Sequence, residues 1–358
     1  MSRNLNPYVL FDRLARDDHA RLAFTGTTRK DFAAWQQKLL PQVRQTLGQF
    51  PQTVEPRPQL LGQWEEDGIV KQRWIIDVQP HLSATLLLYR PAGLAPGERR
   101  PAILACHGHG PLGKDGPMGN AYTDAGRANI KYHNYDYGLQ MAKAGFVTYA
   151  IDWLGFGERN AEAKPHYSGT ITLNGQVGRD ACNVYYLNAT LLGTTVLAMN
   201  LHDAARATDF VCQQPFVDPN HLGVMGLSLG GTMATWVALT DARFKAADVI
   251  CYTGPFYEIA FQTYNVCGSQ ISPGLLALCD IADLQGLLAP RALLMEIALH
   301  DSCFSADHTQ KSYEHIRRIY TAAGAADQLD LDLYPGEHAW GGNKSVPFFR
   351  QHLHADWS

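Results

Sequence analysis

Residues 222–231 read Leu-Gly-Val-Met-Gly-Leu-Ser-Leu-Gly-Gly, and this stretch decides the fold. Its apolar start predicts a buried strand that ends at a serine, and residues 232–240 are compatible with a helix. A sharp strand-to-helix turn needs glycine at Gly226 and Gly230, because a side chain there would crowd the neighbouring backbone. We interpret Ser228 as a nucleophile at the tip of such a turn.

Three fixed positions are a weak indicator by themselves. Glycine makes up about 7% of average proteins and serine is similarly common, so the pattern recurs by chance in roughly one chain in ten of this length. The alternative is a glycine-rich turn with an incidental serine, and the rest of the chain must decide between the two.

The composition describes a globular chain with a large core. Its 358 residues are 46% hydrophobic and 18% charged, with a formal net charge of −4. We find no basic cluster of the kind that binds nucleic acid, no apolar signal-peptide core at the N-terminus and no run of about 18 apolar residues that would span a membrane. We expect a cytoplasmic protein without nucleic-acid or membrane partners, and a homo-oligomer stays open.

The cysteines show no short paired spacing and are odd in number. In a chain without a signal peptide, we expect reduced thiols that pack mostly as small buried hydrophobic groups. We also expect neither a metal nor an organic cofactor. The seven are Cys106, Cys182, Cys212, Cys251, Cys267, Cys279 and Cys303.

Residues 1–65 are predicted to form a helical N-terminal extension. Leu10, Leu14 and Leu22 mark one segment, and a stripe at i, i+3/i+4 spacing over residues 32–47 marks the next. Three prolines between residues 51 and 58 then end the helical pattern.

Short β-type runs follow from residue 68 onward. The first two predict an antiparallel hairpin at a sheet edge, and the later ones are mostly continuously apolar, as parallel strands covered on both faces are. With helical patterns between them, they predict an α/β-hydrolase fold over residues 66–358, with an eight-stranded, mostly parallel sheet flanked by helices. The runs are 69–76, 84–89, 102–106, 146–151, 222–225, 247–251, 292–297 and 329–333.

Two connections exceed ordinary loop length, residues 111–134 and 160–188. Long loops in compact domains usually serve as lids or binding walls. Both leave the sheet at carboxyl ends of strands, where ligands bind in open α/β sheets. We expect them to face Ser228.

A serine nucleophile needs a base and an acid that orients it. Asp301 follows the seventh run and His338 the eighth, which is the Ser, acid, His order of α/β-hydrolases. Alternatively, His338 is an ordinary loop histidine and Asp301 caps the next helix. Asp307 and Glu296 are the competing candidates for the acid.

The third run ends in Cys106-His-Gly-His-Gly110. Such a turn predicts that the amide of His109 joins that of Leu229 in an oxyanion hole, and Gly108 permits the close approach of the backbone. The alternative is a metal pair formed by His107 and His109, because alternate residues of a strand share a face.

Residues 152–159 read Asp-Trp-Leu-Gly-Phe-Gly-Glu-Arg after the fourth run. One interpretation is a turn held by an ion pair between Asp152 and Arg159, and the other is a wall of the substrate pocket. An anionic substrate would favour basic groups there, although a surface role is the alternative for each. The candidate substrate-binding residues are His107, Lys114, Trp153 and Arg159.

These motifs resemble the α/β-hydrolases related to dienelactone hydrolases and acetyl xylan esterases, including carbohydrate-esterase-like proteins with an N-terminal helical extension. The resemblance implies esterase chemistry with Ser228, Asp301 and His338 as the triad. It departs at the nucleophile, since dienelactone hydrolases proper use cysteine. The stretches that carry it are 106–110, 113–114, 152–159, 218–231, 273–275, 289–291 and 336–338.

The sequence thus predicts a serine carboxylic-ester hydrolase with a Ser-Asp-His triad and a backbone oxyanion hole. From the resemblance, we expect O-acetyl or methyl esters of carbohydrates, such as oligosaccharides, or other small esters as substrates. A peptidase of the same fold is one alternative. A catalytically silent α/β-hydrolase that serves as a binding module is the other.

Overall fold

A computed structural model describes residues 5–17, 19–160 and 179–355. The strands are β1 (Gln59–Glu66), β2 (Ile69–Gln79), β3 (Leu82–Pro91), β4 (Arg100–Cys106), β5 (Val147–Ile151), β6 (Val217–Leu227), β7 (Phe244–Ile250), β8 (Ala292–Ala298) and β9 (Leu329–Tyr334). The helices are α1 (Pro7–Asp17), α2 (Arg29–Thr46), α3 (Asp124–His133), α4 (Tyr137–Lys143), α5 (Arg179–Leu191), α6 (Val196–Cys212), α7 (Leu229–Thr240), α8 (Leu275–Leu278), α9 (Ile281–Gly286), α10 (Ala306–Ala323) and α11 (Ser345–His352).

The strands form one sheet in the order β1-β2-β3-β5-β4-β6-β7-β8-β9. Strands β1 to β3 pair antiparallel, β3 pairs antiparallel with β5, and the pairs from β5 to β9 are parallel. The predicted α/β-hydrolase fold is confirmed. The described residues form nine strands, one more than the eight that were predicted.

The strand that was not predicted is β1, at the edge of the sheet. Its residues are almost all exposed, so no apolar alternation marks them as a strand. Main-chain pairing with β2 holds it instead, from Gln59 opposite Ile75 to Glu66 opposite Ile69. Residues 59–65, which we expected in the helical extension, therefore form a strand.

Alternate residues of each central strand enter different hydrophobic clusters. In β4, Leu104 and Cys106 pack with one cluster, whereas Ile103 and Ala105 pack with the other. Side chains of a strand point alternately to its two faces, so the sheet has a core on each side. Helices α2, α6, α7 and α10 contribute to the first cluster, and α4 and α11 contribute to the second.

The N-terminal helices differ in how they are anchored. Helix α2 starts with a capping box between Thr28 and Asp31, and its buried face enters the main core, as the stripe predicts. Helix α1 ends at Asp17, so the expectation that Leu22 continues the segment of Leu10 and Leu14 was wrong. Their side chains are half exposed, at 53% for Leu10 and 54% for Leu14.

The two long connections are more regular than expected. Residues 111–134 include α3, and the connection that starts at residue 160 is helical from Arg179 onward. Its residues 161–178 lie outside the described part of the chain. Helices α5 and α6 are separate, because Gly193 has φ +76° and Thr195 caps the N-terminus of α6.

All seven cysteines are reduced thiols, five of them buried. Cys212 and Cys303 are half-buried. Among the described residues, no helix combines the length and the apolar character that crossing a bilayer requires.

Candidate active site

Ser228 occupies a strained turn between β6 and α7. Its backbone has φ 62° and ψ −120°, a conformation that a residue with a side chain rarely adopts. A Cβ added at Gly226 would lie 2.4 Å from the carbonyl oxygen of Gly230, and one added at Gly230 would lie 2.1 Å from that of Cys106. Both glycines are therefore required by close backbone contacts, and the predicted turn is confirmed.

The acid and the histidine meet beyond the carboxyl ends of β8 and β9. The Nδ1 atom of His338 lies 2.9 Å from one carboxylate oxygen of Asp301 and 3.1 Å from the other. The amides of Cys303 and Phe304 donate to the carboxylate at 2.7 and 3.0 Å. The Asp301 side chain is 2% exposed, and these contacts place it where the acid of a triad would orient the imidazole.

The two competing acids lie elsewhere. The carboxylate of Glu296 accepts hydrogen bonds from the indole of Trp340 at 3.0 Å and from the hydroxyl of Ser345 at 2.7 Å. Burial raises the pKa of Glu296 to about 7. Asp307 is in the first turn of α10. Asp301 is thus the candidate that contacts the imidazole of His338.

Two backbone amides are candidates for the predicted oxyanion hole. Leu229 is the first residue of α7, where an α-helix leaves the backbone N–H without a partner inside the helix. In the turn after β4, the amide of Gly108 donates to the hydroxyl of Tyr135. The next amide in that turn belongs to His109, and its place in the oxyanion hole stays a prediction.

Ser228 and His338 line one cavity of about 170 Å³. The turn after β4 forms one side, and the start of the first long connection forms another. Asn129, His133 and Cys303 also reach the cavity, and none of them was predicted. The lining residues are Gly108, His109, Gly110, Pro111, Leu112, Gly113, Asn129, His133, Tyr135, Leu227, Ser228, Cys303 and His338.

The end of α3 supports the loop that carries His338. The Nδ1 atom of His133 donates to the carbonyl oxygen of His338 at 2.7 Å, and the amide of Trp340 donates back to the carbonyl oxygen of His133 at 3.0 Å. The side-chain amide of Asn134 donates to the carbonyl oxygen of Trp340 at 3.1 Å. The first long connection, residues 111–134, therefore lines the cavity and also holds the loop of His338 by hydrogen bonds.

Two candidate substrate-binding residues are fully buried, and their assignment was wrong. His107 and Trp153 have no exposed surface and do not line the cavity. The Nε2 atom of His107 accepts from the amide of Trp153 at 3.0 Å, and the indole of Trp153 donates to the carbonyl oxygen of His107 at 3.1 Å. Burial lowers the pKa of His107 to about 4, so this imidazole is a neutral link between β4 and β5.

Lys114 and Arg159, the two basic candidates for substrate binding, form ion pairs inside the fold instead. Lys114 is 1% exposed, and its ammonium lies 2.7 Å from Asp152 and 2.6 Å from Glu158. Arg159 is paired with Asp203 at 2.7 Å and donates to the carbonyl oxygen of Asp152 at 3.0 Å. The expected ion pair between Asp152 and Arg159 is thus replaced by two other pairs. Neither basic group lines the cavity.

The side chains of His109 and His107 have different polar partners, which disfavours the alternative of a metal pair between them. Its Nε2 atom lies 3.2 Å from the sulfur of Cys267, whereas His107 contacts Trp153. Burial raises the pKa of Cys267, but hydrogen bonds from Cys182 and His109 more than offset this, and the net pKa lies well below its usual value.

Comparisons with known proteins agree with this architecture. A family model described as the Abhydrolase family matches residues 2–256. The chain belongs to this family. YtaP of Bacillus subtilis (strain 168), assigned by name as a hydrolase, is 24% identical over 289 residues, which cover 80% of this chain and 88% of YtaP.

Solved structures of low sequence identity share the fold. A protein of Bacteroides fragilis NCTC 9343 assigned as an acetyl xylan esterase superposes with a TM-score of 0.74 at 18% identity, covering 93% of this chain and 83% of its own. Methylesterase BT1017 superposes with a TM-score of 0.65 at 20% identity, covering 92% of this chain and 66% of its own. The predicted α/β-hydrolase family is confirmed, and the domain boundary at residue 65 stays a prediction.

Proposed function

We propose that the protein is a serine carboxylic-ester hydrolase. One observation carries the proposal. Ser228, on a strained turn, lines the same small cavity as His338, and Nδ1 of His338 lies 2.9 Å from the carboxylate of Asp301. A nucleophile, a base and an orienting acid in this arrangement support acyl transfer. Family membership supports the hydrolase class.

The reaction follows from the roles of the three side chains. The carboxylate of Asp301 accepts the proton on Nδ1 of His338 in a hydrogen bond, so Nε2 is available as the base. Nε2 takes the proton of Ser228 as the hydroxyl oxygen attacks an ester carbonyl. The amides of Leu229 and His109 donate to the oxyanion of the tetrahedral intermediate. His338 then protonates the leaving alcohol, and water activated by the same imidazole releases the acid.

The cavity favours a small acyl or alkyl group. Its volume of about 170 Å³ is below the roughly 300–1,000 Å³ typical of pockets that enclose a whole drug-sized ligand. Only a small part of the substrate would enter it, with the remainder outside. Polar groups that line it, such as Asn129 and His133, suit a hydroxylated substrate.

These features lead us to O-acetyl or methyl esters of carbohydrates, or other small esters, as the substrate class. The names of two structures with the same fold, an assigned acetyl xylan esterase and a methylesterase, support the same class. We also propose a cytoplasmic location, which favours oligosaccharides over intact polymers.

Hydrolysis of p-nitrophenyl acetate by the wild type and by Ser228→Ala tests the reaction. We expect activity and fluorophosphonate labelling in the wild type and the loss of both in Ser228→Ala. Ser83→Ala in β3, away from the cavity, is the matched control and retains both. An active Ser228→Ala protein would refute the mechanism, and an inactive, unlabelled wild type would favour the silent binding module.

A panel of acetylated and methyl-esterified sugars tests the substrate class. Released acetate or methanol is measured for each compound, with a matched simple alkyl ester as reference. We expect a higher kcat/KM on at least one sugar ester than on the alkyl ester. The reverse order across the whole panel would restrict the proposal to small esters without a carbohydrate part.

A further inference from the structure

A second cluster of reactive side chains lies beside the catalytic cavity. The donor atoms of His109, Cys182 and Cys267 all lie within 4.8 Å of one another, and the His109 Nε2 to Cys267 Sγ distance is 3.2 Å. The proposed mechanism uses the main-chain amide of His109 and leaves its imidazole without a role. The two cysteines have no role in it either.

Close packing between two segments brings the cysteines together. The side chain of Asn183 in α5 accepts from the amide of Gly268 at 2.9 Å. A Cβ added at Gly268 would lie 2.2 Å from Cβ of Tyr186, so the helix and the backbone after Cys267 touch directly. The side chain of Gln270 accepts from the amide of Cys267 at 3.1 Å and fixes the same turn.

The cluster is shielded from solvent on its sulfur side and open on its imidazole side. Cys182 has no exposed surface and Cys267 is 3% exposed. His109 is half-buried and lines the cavity of Ser228. An ion that enters through the cavity therefore meets the imidazole first and the two sulfurs behind it.

We propose that His109, Cys182 and Cys267 bind one Zn²⁺ ion. Two thiolates and an imidazole are donors that Zn²⁺ prefers, and tetrahedral coordination at usual bond lengths puts neighbouring donor atoms about 3.5–3.8 Å apart. The three donors reach that spacing with small side-chain shifts. Two thiol protons leave as two Zn–S bonds form, and the fourth position stays open to a water or a substrate oxygen on the cavity side.

A disulfide between the two cysteines explains the cluster less well. It would need neither the imidazole nor its 3.2 Å contact with Cys267. Both sulfurs are buried, whereas cysteines that react with oxidants are partly exposed. A bound ion uses all three donors, and it fixes the turn that carries the amide of His109.

Cobalt substitution tests the site without reference to catalysis. Protein stripped with a chelator under reducing conditions is titrated with Co²⁺, and thiolate ligation is read from sulfur-to-cobalt charge transfer in the near ultraviolet. We expect a transition that saturates at one ion per chain and is displaced by Zn²⁺. The double variant Cys182→Ser/Cys267→Ser loses it, and Cys212→Ser, which removes a half-buried cysteine outside the cluster, retains it.

Thermal unfolding provides a second measurement on the same proteins. We expect Zn²⁺ to raise the melting temperature of the wild type and of Cys212→Ser, and to leave that of the double variant unchanged. An absent charge-transfer band, or one that persists in the double variant, would overturn the proposal. Loss of two titratable thiols on peroxide treatment, reversed by a dithiol and without Co²⁺ binding, would overturn it in favour of a disulfide. None of these measurements depends on the proposed esterase activity.

Discussion

The imidazole of His338 and the carboxylate of Asp301 are joined at 2.9 Å across the ends of two neighbouring strands. One carboxylate oxygen also accepts two backbone amides of the loop that follows, at 2.7 and 3.0 Å. The carboxylate therefore has one oxygen that accepts from its own loop and lies 3.1 Å from Nδ1 of His338, and a second oxygen that makes the shorter contact with the imidazole. The loop amides thus hold the carboxylate in place against the imidazole.

Asp301→Asn should keep the fold and lose most of the activity. The asparagine oxygen can still accept from the amides of Cys303 and Phe304, but its NH₂ group cannot accept the proton on Nδ1 of His338. The imidazole would then favour the wrong tautomer, and kcat for p-nitrophenyl acetate should fall by roughly 10³–10⁴-fold. Urea unfolding should stay close to that of the wild type.

The matched control for the acid is Asp307→Asn in the first turn of α10. It removes the same charge nearby and should leave kcat within a factor of about two, since typical surface substitutions change little. A large loss in Asp307→Asn together with near wild-type rates in Asp301→Asn would move the acid to position 307.

Gly230→Ala should destabilise the fold because the new methyl group has no room. The added Cβ would lie 2.1 Å from the carbonyl oxygen of Cys106, which belongs to a buried strand and cannot move away freely. Overpacking of this kind costs about 1–3 kcal/mol of unfolding free energy. Chemical denaturation measures the loss.

Gly62→Ala in β1 is the control for this substitution. A Cβ at Gly62 meets nothing within 4 Å, so alanine should change the unfolding free energy by less than about 0.5 kcal/mol. Equal effects at Gly62 and Gly230 would show that the close contact at the turn does not constrain the backbone.

Lys114→Met should reveal a structural role instead of a substrate-binding role. The substitution removes the cation beside the buried carboxylate of Asp152. Hydrogen bonds to this carboxylate remain, two of them from the amides at positions 114 and 158 at 2.7 and 3.1 Å. Breaking a buried pair typically costs 3–5 kcal/mol, and these remaining donors favour the lower end, about 3 kcal/mol. Denaturant unfolding at neutral pH measures the loss.

Lys143→Met is the control, because it breaks an exposed ion pair instead of a buried one. Lys143 pairs with Asp67 at 3.0 Å, but their side chains are 44% and 69% exposed, so the change should cost less than about 1 kcal/mol. A wild-type stability in Lys114→Met combined with a higher KM would restore the substrate-binding interpretation.

The sequence predicted the parts of the site that depend on local spacing. Ser228, Asp301 and His338 each follow a strand at its carboxyl end, and a parallel sheet brings those ends to one edge. The turn glycines are predictable because a sharp strand-to-helix turn of this kind needs glycine on both sides of the serine. Chain order and strand order were sufficient for these positions.

Other parts depend on contacts between distant segments, which spacing does not encode. Lys114 resembles a surface lysine in sequence, yet Asp152 lies 38 residues away and meets it inside the fold. His133 lies 205 residues from His338 and supports it through a backbone oxygen, a contact that no motif marks. Strand β1 is held by main-chain pairing at an edge, so its side chains carry little pattern.

The buried imidazole of His107 should make the protein less stable in mild acid. Burial lowers its pKa in the folded state to about 4, against about 6.5 in the unfolded chain. Between these values the unfolded state binds more protons, so the unfolding free energy falls as the pH drops from 6.5 to 4, by up to about 1.4 kcal/mol per pH unit from this group. Above pH 6.5 the contribution is constant.

Urea unfolding at several pH values between 4 and 7 isolates this contribution when the wild type is compared with His107→Gln. The variant loses the hydrogen bond from the Trp153 amide and should be less stable throughout, but its stability should decline less steeply below pH 6.5. His81→Gln, at an exposed position, controls for the loss of a histidine as such. Parallel stability curves for the wild type and His107→Gln over this range would show that the buried imidazole takes up its proton as readily as one in the unfolded chain.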